Sequence, residues 1–356
     1  MTPPEAARII HQGRLDRERA LRLYREADLL TLGQLAQEVR LSLHPDPVVT
    51  YSVDRNINYT NVCVSRCAFC AFWRGKGHEE AYQMDLETLR AKCQETIELG
   101  GTHVLYQGGL NPDLGISWHE ERLRLMRGMG LWVHGFSPPE ILFMADRWGM
   151  SIREVLLRLV DAGLCSIPGG GAEILADRVR RVVSPAKGSS ARWLEVMREA
   201  HALGLRTTAT MMFGHLETLE ERLDHMLAIR DLQDQTRGFT AFIPWPYQPG
   251  KNTLQVPRLG AVPYLRTLAM SRLLLDNIPH IQASWVTQGP EVGQVALHFG
   301  ADDLGSTMIE ENVVASAGVS FRLCEEEMLD LIRRAGFEPR KRDVLYRPVE
   351  GSWQPQ

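Results

Sequence analysis

Three cysteines fall within eight residues, Cys63-Val64-Ser65-Arg66-Cys67-Ala68-Phe69-Cys70, in a Cys-x3-Cys-x2-Cys run. Thiols spaced this closely suit a metal or redox centre. The other three cysteines, Cys93, Cys165 and Cys324, stand alone, and isolated thiols mostly behave as small buried hydrophobes. A structural zinc takes four protein ligands, and no second cysteine pair supplies them. A disulfide inside the loop would strand the third thiol, and six cysteines are too sparse for a disulfide scaffold in 356 residues. An iron-sulfur cubane has four irons and thiolate ligands, so three cysteines leave one iron without a protein ligand. That iron can take the amino and carboxylate groups of a methionine and set a sulfonium beside a reductant. The expected metal ligands are Cys63, Cys67 and Cys70, and the expected cofactors are a 4Fe-4S cluster and S-adenosyl-L-methionine.

Other segments carry chemistry less specifically. The glycines of Pro168-Gly169-Gly170-Gly171-Ala172-Glu173 let the backbone approach a ligand closely, and the segment is expected to open a helix whose first amides favour an anion. Glu173 is either a ligand-binding acid or a favourable charge in that first helical turn. Ser137-Pro138-Pro139-Glu140 reads as a helix start, which alone explains the prolines, with Ser137 and Glu140 as site candidates. His215 follows a predicted strand at a position where catalytic groups accumulate, or it is an exposed loop histidine. The run Phe242-Ile243-Pro244-Trp245-Pro246-Tyr247 offers flat apolar walls for aromatic rings, or ordinary core. Glu310, Glu311 and Asn312 come late, near the expected last strand, at the bottom or the mouth of the fold.

The elements that must position these residues alternate. Residues 1 to 48 read as a helical extension closing at His44-Pro45-Asp46-Pro47. Strand candidates follow in VVTYSVDRNINYT, THVLYQ, LWVHGFS, LCSIPGGG, LRTTATMMFG, GFTAFIPW and HIQASWV. Amphipathic helical stretches lie between them, at about 85–99, 118–127, 139–162, 220–234 and 260–277. Strand-helix repetition implies right-handed βαβ units, a parallel sheet and most economically a (β/α)8 TIM-type barrel. A doubly wound sheet is the competitor, but the first strand-helix connection has no G-x-G-x-x-G loop. The domain organisation expected is a helical extension at 1–48, a barrel core at 49–320, and a C-terminal helix and tail at 321–356 packed on the barrel, with the basic, turn-rich end at the surface.

The bulk numbers narrow the partners. A hydrophobic fraction of 44% and a charged fraction of 24% indicate an ordinary folded protein. A net charge of -4 offers no basic field for nucleic acid or an anionic membrane. No run approaches the apolar length of a membrane span, and the start, MTPPEAARII, lacks a signal pattern. A cytoplasmic enzyme acting on a small molecule is expected, with no nucleic acid or membrane partner.

The Cys63 to Cys70 spacing is similar to the signature of the radical S-adenosylmethionine superfamily. The segments RNINYTNVCVSRCAFCAFWR, LYQGGLNPDLG, HGFSPPEI, SIPGGGAEIL, TTATMMFGHLETLEER and WVTQGPEVGQVALHFGADDLGSTMIEENVVASAG, in that order, resemble the cyclic dehypoxanthinyl futalosine synthase family. The resemblance implies radical ring closure of dehypoxanthine futalosine on the futalosine route to menaquinone, with a one-electron reductant such as flavodoxin or ferredoxin. It implies that the Phe69 backbone contacts adenine. It also implies that Gln107, Gly108 and Gly109 stand where the superfamily usually carries Gly-Gly-Glu, which holds the methionine amino group. The acid is absent here, which leaves that contact to Gln107 or to backbone carbonyls. Gly170, Glu173, Ser137 and Ile243 join the expected cofactor pocket. Glu140, Glu173, His215 and Glu310 are the unranked candidates for the closing deprotonation. Alternatives are an aminofutalosine synthase, a deazaflavin-forming radical enzyme, or, from another class, an iron-sulfur electron carrier with all its irons liganded.

Overall fold

The computed structural model describes residues 1–319 and 321–349; the last residues of the tail, 350–356, lie outside them. The strands are β1 (Val48–Ser52), β2 (Asp54–Asn58), β3 (His103–Gln107), β4 (Trp132–Gly135), β5 (Ser166–Ile167), β6 (Arg206–Phe213), β7 (Phe239–Pro246), β8 (His280–Ile281), β9 (Asp303–Ser306) and β10 (Glu338–Lys341). β2 to β8 form a seven-stranded parallel sheet in sequential order. β1 lies between β10 and β9, parallel to both. The first strand expected from sequence is therefore two strands serving two sheets. The chain from Asp303 to Glu310 runs between the ends of the larger sheet. Ala283 N–H donates to Asp303 O (2.9 Å) on one side, and Thr307 N–H to Ser52 O (3.1 Å) and Ile309 N–H to Asp54 O (3.0 Å) on the other.

Several of the helices that cross between successive strands begin with a cap the sequence supplies. Asp85 accepts from Thr88 N–H at 2.7 Å ahead of the helix Leu86–Glu98, and Thr218 and Glu221 form a capping box ahead of Leu219–Thr236. The long helical stretch expected at 139–162 is two helices, Pro138–Trp148 and Ile152–Ala162. Gly149 ends the first in a left-handed conformation (φ 63°), and Ser151 caps the second. No helix among the described residues is long and apolar enough to cross a membrane.

Strand alternation divides the packing. Val104, Tyr106, Val133, Ala209, Met211 and Phe242 are fully buried. Their strand neighbours Asn56, His103, Gln107, His134, Thr208 and Thr210 line a cavity inside the barrel. Burying each large apolar side chain is worth about 1.5–3 kcal/mol, so the apolar residues carry stability and the inner face is free to be polar. Most barrel interiors are packed with branched aliphatic residues, and this one holds a lined cavity instead.

The tail departs from expectation. Rather than lying at the surface, Glu338–Lys341 pairs with β1, Arg342 is buried, and Arg342, Val344 and Tyr346 line the barrel cavity. The reason is charge pairing: the Arg342 guanidinium grips the buried carboxylate of Asp303. Among the lone cysteines Cys93 is buried and Cys165 half-buried, whereas Cys324 is exposed at a helix N-cap.

Four imidazoles predict acid lability. Burial pushes His119, His134 and His225 down to about 3 and His201 to about 4. An unfolded histidine titrates near 6.5, so between those values the unfolded chain binds more protons than the folded one, and stability falls as pH falls. The denaturation midpoint is expected to be lower at pH 5.5 than at pH 7.5, with roughly one proton taken up per imidazole on unfolding. A midpoint that is flat or higher on the acid side contradicts this.

Candidate active site

β2 delivers the chain to the rim, and the cysteine loop follows, pinned on each flank. Cys63 N–H donates to Arg74 O (3.1 Å), Ala68 N–H to Val183 O (2.9 Å), and Thr253 N–H to Ala68 O (2.9 Å). The chain leaving β3 zips onto the same loop, with Val64 N–H donating to Leu110 O (3.0 Å) and Leu110 N–H to Cys63 Sγ (3.3 Å). Gly109 permits that approach, since a Cβ there would lie 2.2 Å from the Val62 carbonyl oxygen. Gly109→Ala must push the cysteine loop aside. Iron content after anaerobic reconstitution is expected to fall severalfold, with a smaller change in melting of the apoprotein; full iron content contradicts this.

Cys63, Cys67 and Cys70 line one cavity of about 220 Å³ together with Phe69, Gln107, Gly108, Gly109, Ser137, Glu140, Gly170 and Glu173. Among the described residues, the one group of three metal-ligand atoms all within 4.8 Å of one another is that of His44, His280 and Asp302, so the three sulfurs are spread more widely. Two thiolates on one zinc, each at about 2.3 Å, are at most about 4.6 Å apart. Separate irons of a cluster impose no such limit, and the donor set fits a 4Fe-4S cluster better than a single ion.

Charge around the thiols is asymmetric. Burial pushes the Cys67 and Cys70 thiols up, and the Lys187 ammonium works against that in both. Lys187 Nζ lies 2.7 Å from Glu173 Oε1 and 5.1 Å from the Phe69 ring centroid. Burial disfavours the Lys187 charge, but Cys67 and Glu173 outweigh it and raise its pKa. The expected helix at Glu173 is absent: Glu173 has φ 45°, and the next helix starts at Asp177. Neither the first-turn acid nor the helix-amide anion site holds for this segment. Its glycines serve close packing, and a Cβ on Gly170 would lie 2.8 Å from Gln107 Nε2.

Glu140 is fully engaged. Its carboxylate accepts from Tyr59 Oη (2.7 Å), Gly108 N–H (3.0 Å), Ser137 N–H (2.6 Å) and Ser137 Oγ (2.5 Å). Burial raises its pKa against those bonds. The residue ties the glycine turn to the start of the helix Pro138–Trp148, which leaves no lone pair for proton transfer.

The second cavity, about 320 Å³, is the barrel interior and includes Ile243. It meets the thiol cavity at Gln107, Gly170, Trp245 and Val313, which line both. Two candidates fall outside both cavities. His215 has no side-chain exposure: its Nδ1 accepts from Leu216 N–H (2.8 Å) and its Nε2 meets Met212 O (2.9 Å), so neither nitrogen is free. Glu310 is held by Lys92 and Arg55 in an outer groove beside the helix Leu86–Glu98. Its neighbour Glu311 faces the barrel cavity, with its carboxylate clamped by the amides of Val313, Val314 and Ala315. Sequence reasoning missed Lys187, Asn56, His103 and His134; polar residues at every second strand position, Asp54, Asn56 and Asn58, were the available signal for Asn56.

A barrel with an incomplete thiol set at its C-terminal rim defines the radical S-adenosylmethionine class of enzyme. The profile of the radical SAM superfamily matches residues 57–229, and that of the CofH/MqnC C-terminal region matches residues 236–353. The chain is 45% identical to cyclic dehypoxanthine futalosine synthase of Halalkalibacterium halodurans, covering 95% of this chain and 92% of that one. It is 46% identical to the enzyme of that name from Streptomyces coelicolor, covering 94% and 85%. Aminodeoxyfutalosine synthase of Thermus thermophilus is 41% identical, covering 97% and 95%. The solved structure of methylornithine synthase superposes with a TM-score of 0.74 at 16% identity, covering 94% of this chain and 96% of that one, a likeness of fold alone. The chain belongs to the cyclic dehypoxanthine futalosine synthase family of the radical SAM superfamily.

Proposed function

We propose that this enzyme converts dehypoxanthine futalosine to cyclic dehypoxanthine futalosine, holding a 4Fe-4S cluster through Cys63, Cys67 and Cys70. When bound, the cluster and S-adenosylmethionine supply one-electron chemistry that removes a hydrogen atom from the substrate. The chain's own residues bind, orient and exclude water. The observation that carries the reading is the junction: a thiol-lined cavity adjoins a barrel interior that carries polar side chains, and Gln107, Gly170, Trp245 and Val313 line both. An electron carrier needs no such second chamber. Gln107, Gly108, Gly109 and Glu173 are suited to the polar groups of the methionine and ribose, and Phe69 and Trp245 to an aromatic ring. Glu140 and Ser137 hold the glycine turn in place. The ion-paired Lys187 and Glu173 keep charge beside the thiols without a free counterion.

A reductant such as flavodoxin or ferredoxin delivers the electron in a cytoplasmic setting. The test is anaerobic reconstitution, reduction, and product analysis with dehypoxanthine futalosine. The expected products are the cyclised substrate, 5'-deoxyadenosine and methionine. Consumption of S-adenosylmethionine without release of 5'-deoxyadenosine would favour an aminofutalosine synthase instead.

A further inference from the structure

His134 is a buried ring that no step above uses. It sits on β4 with Leu105 as its Cα partner on β3 and Ser166 on β5. It is 9% exposed, and what remains open faces the barrel cavity. Its Nδ1 lies 2.7 Å from Ser166 Oγ, and the same Oγ accepts the Trp132 indole N–H at 2.9 Å.

These two contacts decide where the ring proton sits. An indole N–H only donates, so Trp132 occupies a lone pair of the serine oxygen. Among the described residues the serine hydroxyl proton has no acceptor other than His134 Nδ1, so the arrangement that leaves neither group unsatisfied makes Nδ1 the acceptor and puts the ring proton on Nε2. Burial keeps the imidazole uncharged at neutral pH, pushing it down to about 3. Nε2 meets no acceptor among the described residues, yet it is not sealed from the cavity.

The neighbouring polar groups are already satisfied. Asp54 is taken by His103 at 2.9 Å and by Ser306, and Arg342 is taken by Asp303. An unmatched donor aimed into a ligand chamber is a recognition element waiting for an acceptor.

We propose that His134 is a specificity-determining residue, presenting a neutral Nε2–H donor to an acceptor oxygen of the substrate in the barrel interior. Ser166 and Trp132 are positioning residues that fix the tautomer. The identity of that substrate rests on the functional reading above; the tautomer does not.

Two measurements separate these parts. In the oxidised holoenzyme labelled with 15N-histidine, the His134 signals, assigned by their loss in His134→Phe, are expected to show a proton on Nε2 and none on Nδ1 at pH 7. Ser166→Ala is expected to disturb that pattern. A proton on Nδ1, or a charged ring, overturns the inference without any substrate present. In turnover with dehypoxanthine futalosine, His134→Phe is expected to raise KM tenfold or more, a larger change than in kcat. His134→Gln, which restores an amide N–H donor, recovers at least threefold of that loss, and Ser166→Ala raises KM by a smaller factor. A KM within twofold of wild type in His134→Phe, or in His134→Ala should the phenylalanine variant not fold, refutes substrate contact. Wild-type holoenzyme that leaves dehypoxanthine futalosine untouched sinks the functional reading and the substrate contact with it, while the nitrogen spectrum still decides the tautomer.

Discussion

Cys67→Ala is expected to abolish both the charge-transfer absorption of the reconstituted cluster and all turnover, leaving a folded apoprotein. Cys67 is the buried member of the three thiols, with Ser65 Oγ 3.1 Å from its sulfur and the Lys187 charge nearby. The loop does not depend on that sulfur for its shape, because backbone bonds from Cys63, Ala68 and Thr253 fasten it to three different segments. Removing one buried sulfur costs about 1 kcal/mol of packing, which in a chain this long shifts melting by only a few degrees. The loss of function is therefore expected to exceed the loss of stability by far. Measurement of iron content, the visible spectrum and melting of the apoprotein separates the two. Retained turnover would refute the assignment of Cys67 as a ligand.

Arg342→Met is expected to be the most destabilising single change at the floor of the barrel, at about 3–5 kcal/mol. The Arg342 and Asp303 side chains are 6% and 0% exposed, and Arg342 Nη2 lies 2.8 Å from Asp303 Oδ1 in a two-pronged pair. Asp303 also accepts from Thr50 Oγ1 (2.6 Å) and Gly305 N–H (2.9 Å), which stabilise its charge but do not neutralise it. The cost arises mainly from a buried carboxylate left without its cation. Adding Asp303→Asn should consequently recover part of the loss. Arg342→Lys keeps the charge but not the planar fork, and should fall between. Equilibrium denaturation of all four proteins checks this; a loss under 1 kcal/mol for Arg342→Met contradicts it.

What sequence could and could not reveal follows from these contacts. The thiol spacing is local, and so are the helix starts expected at Asp85 and Ser137, both of which are N-caps, whereas the cap at Ser151 falls inside the stretch expected as one helix at 139–162. The order of parallel strands followed from strand-helix alternation, since consecutive βαβ units place strands side by side. Side-chain direction was harder. His215 occupies a rim loop as expected, but the ring turns inward to the Met212 carbonyl, a choice set by tertiary hydrogen bonding. Glu310 and Glu311 are adjacent in an extended segment, so a one-residue error of phase moves a carboxylate from one face to the other. With Asn312 also polar, no apolar alternation marks the phase. The tail read as surface because it is basic, whereas its arginine is drawn in by an aspartate about forty residues earlier. Part of the polar interior was legible in principle: Asp54, Asn56 and Asn58, and Thr208 and Thr210, recur at every second position, while His103 and Gln107 share their face with Leu105.

The proposed chemistry needs an iron that the chain leaves open to S-adenosylmethionine. Electron paramagnetic resonance of the reduced, reconstituted protein tests this directly. The predicted result is a reduced 4Fe-4S signal whose shape changes when S-adenosylmethionine is added. A signal that stays the same with S-adenosylmethionine present, or protein purified anaerobically with zinc in place of the cluster, would contradict it.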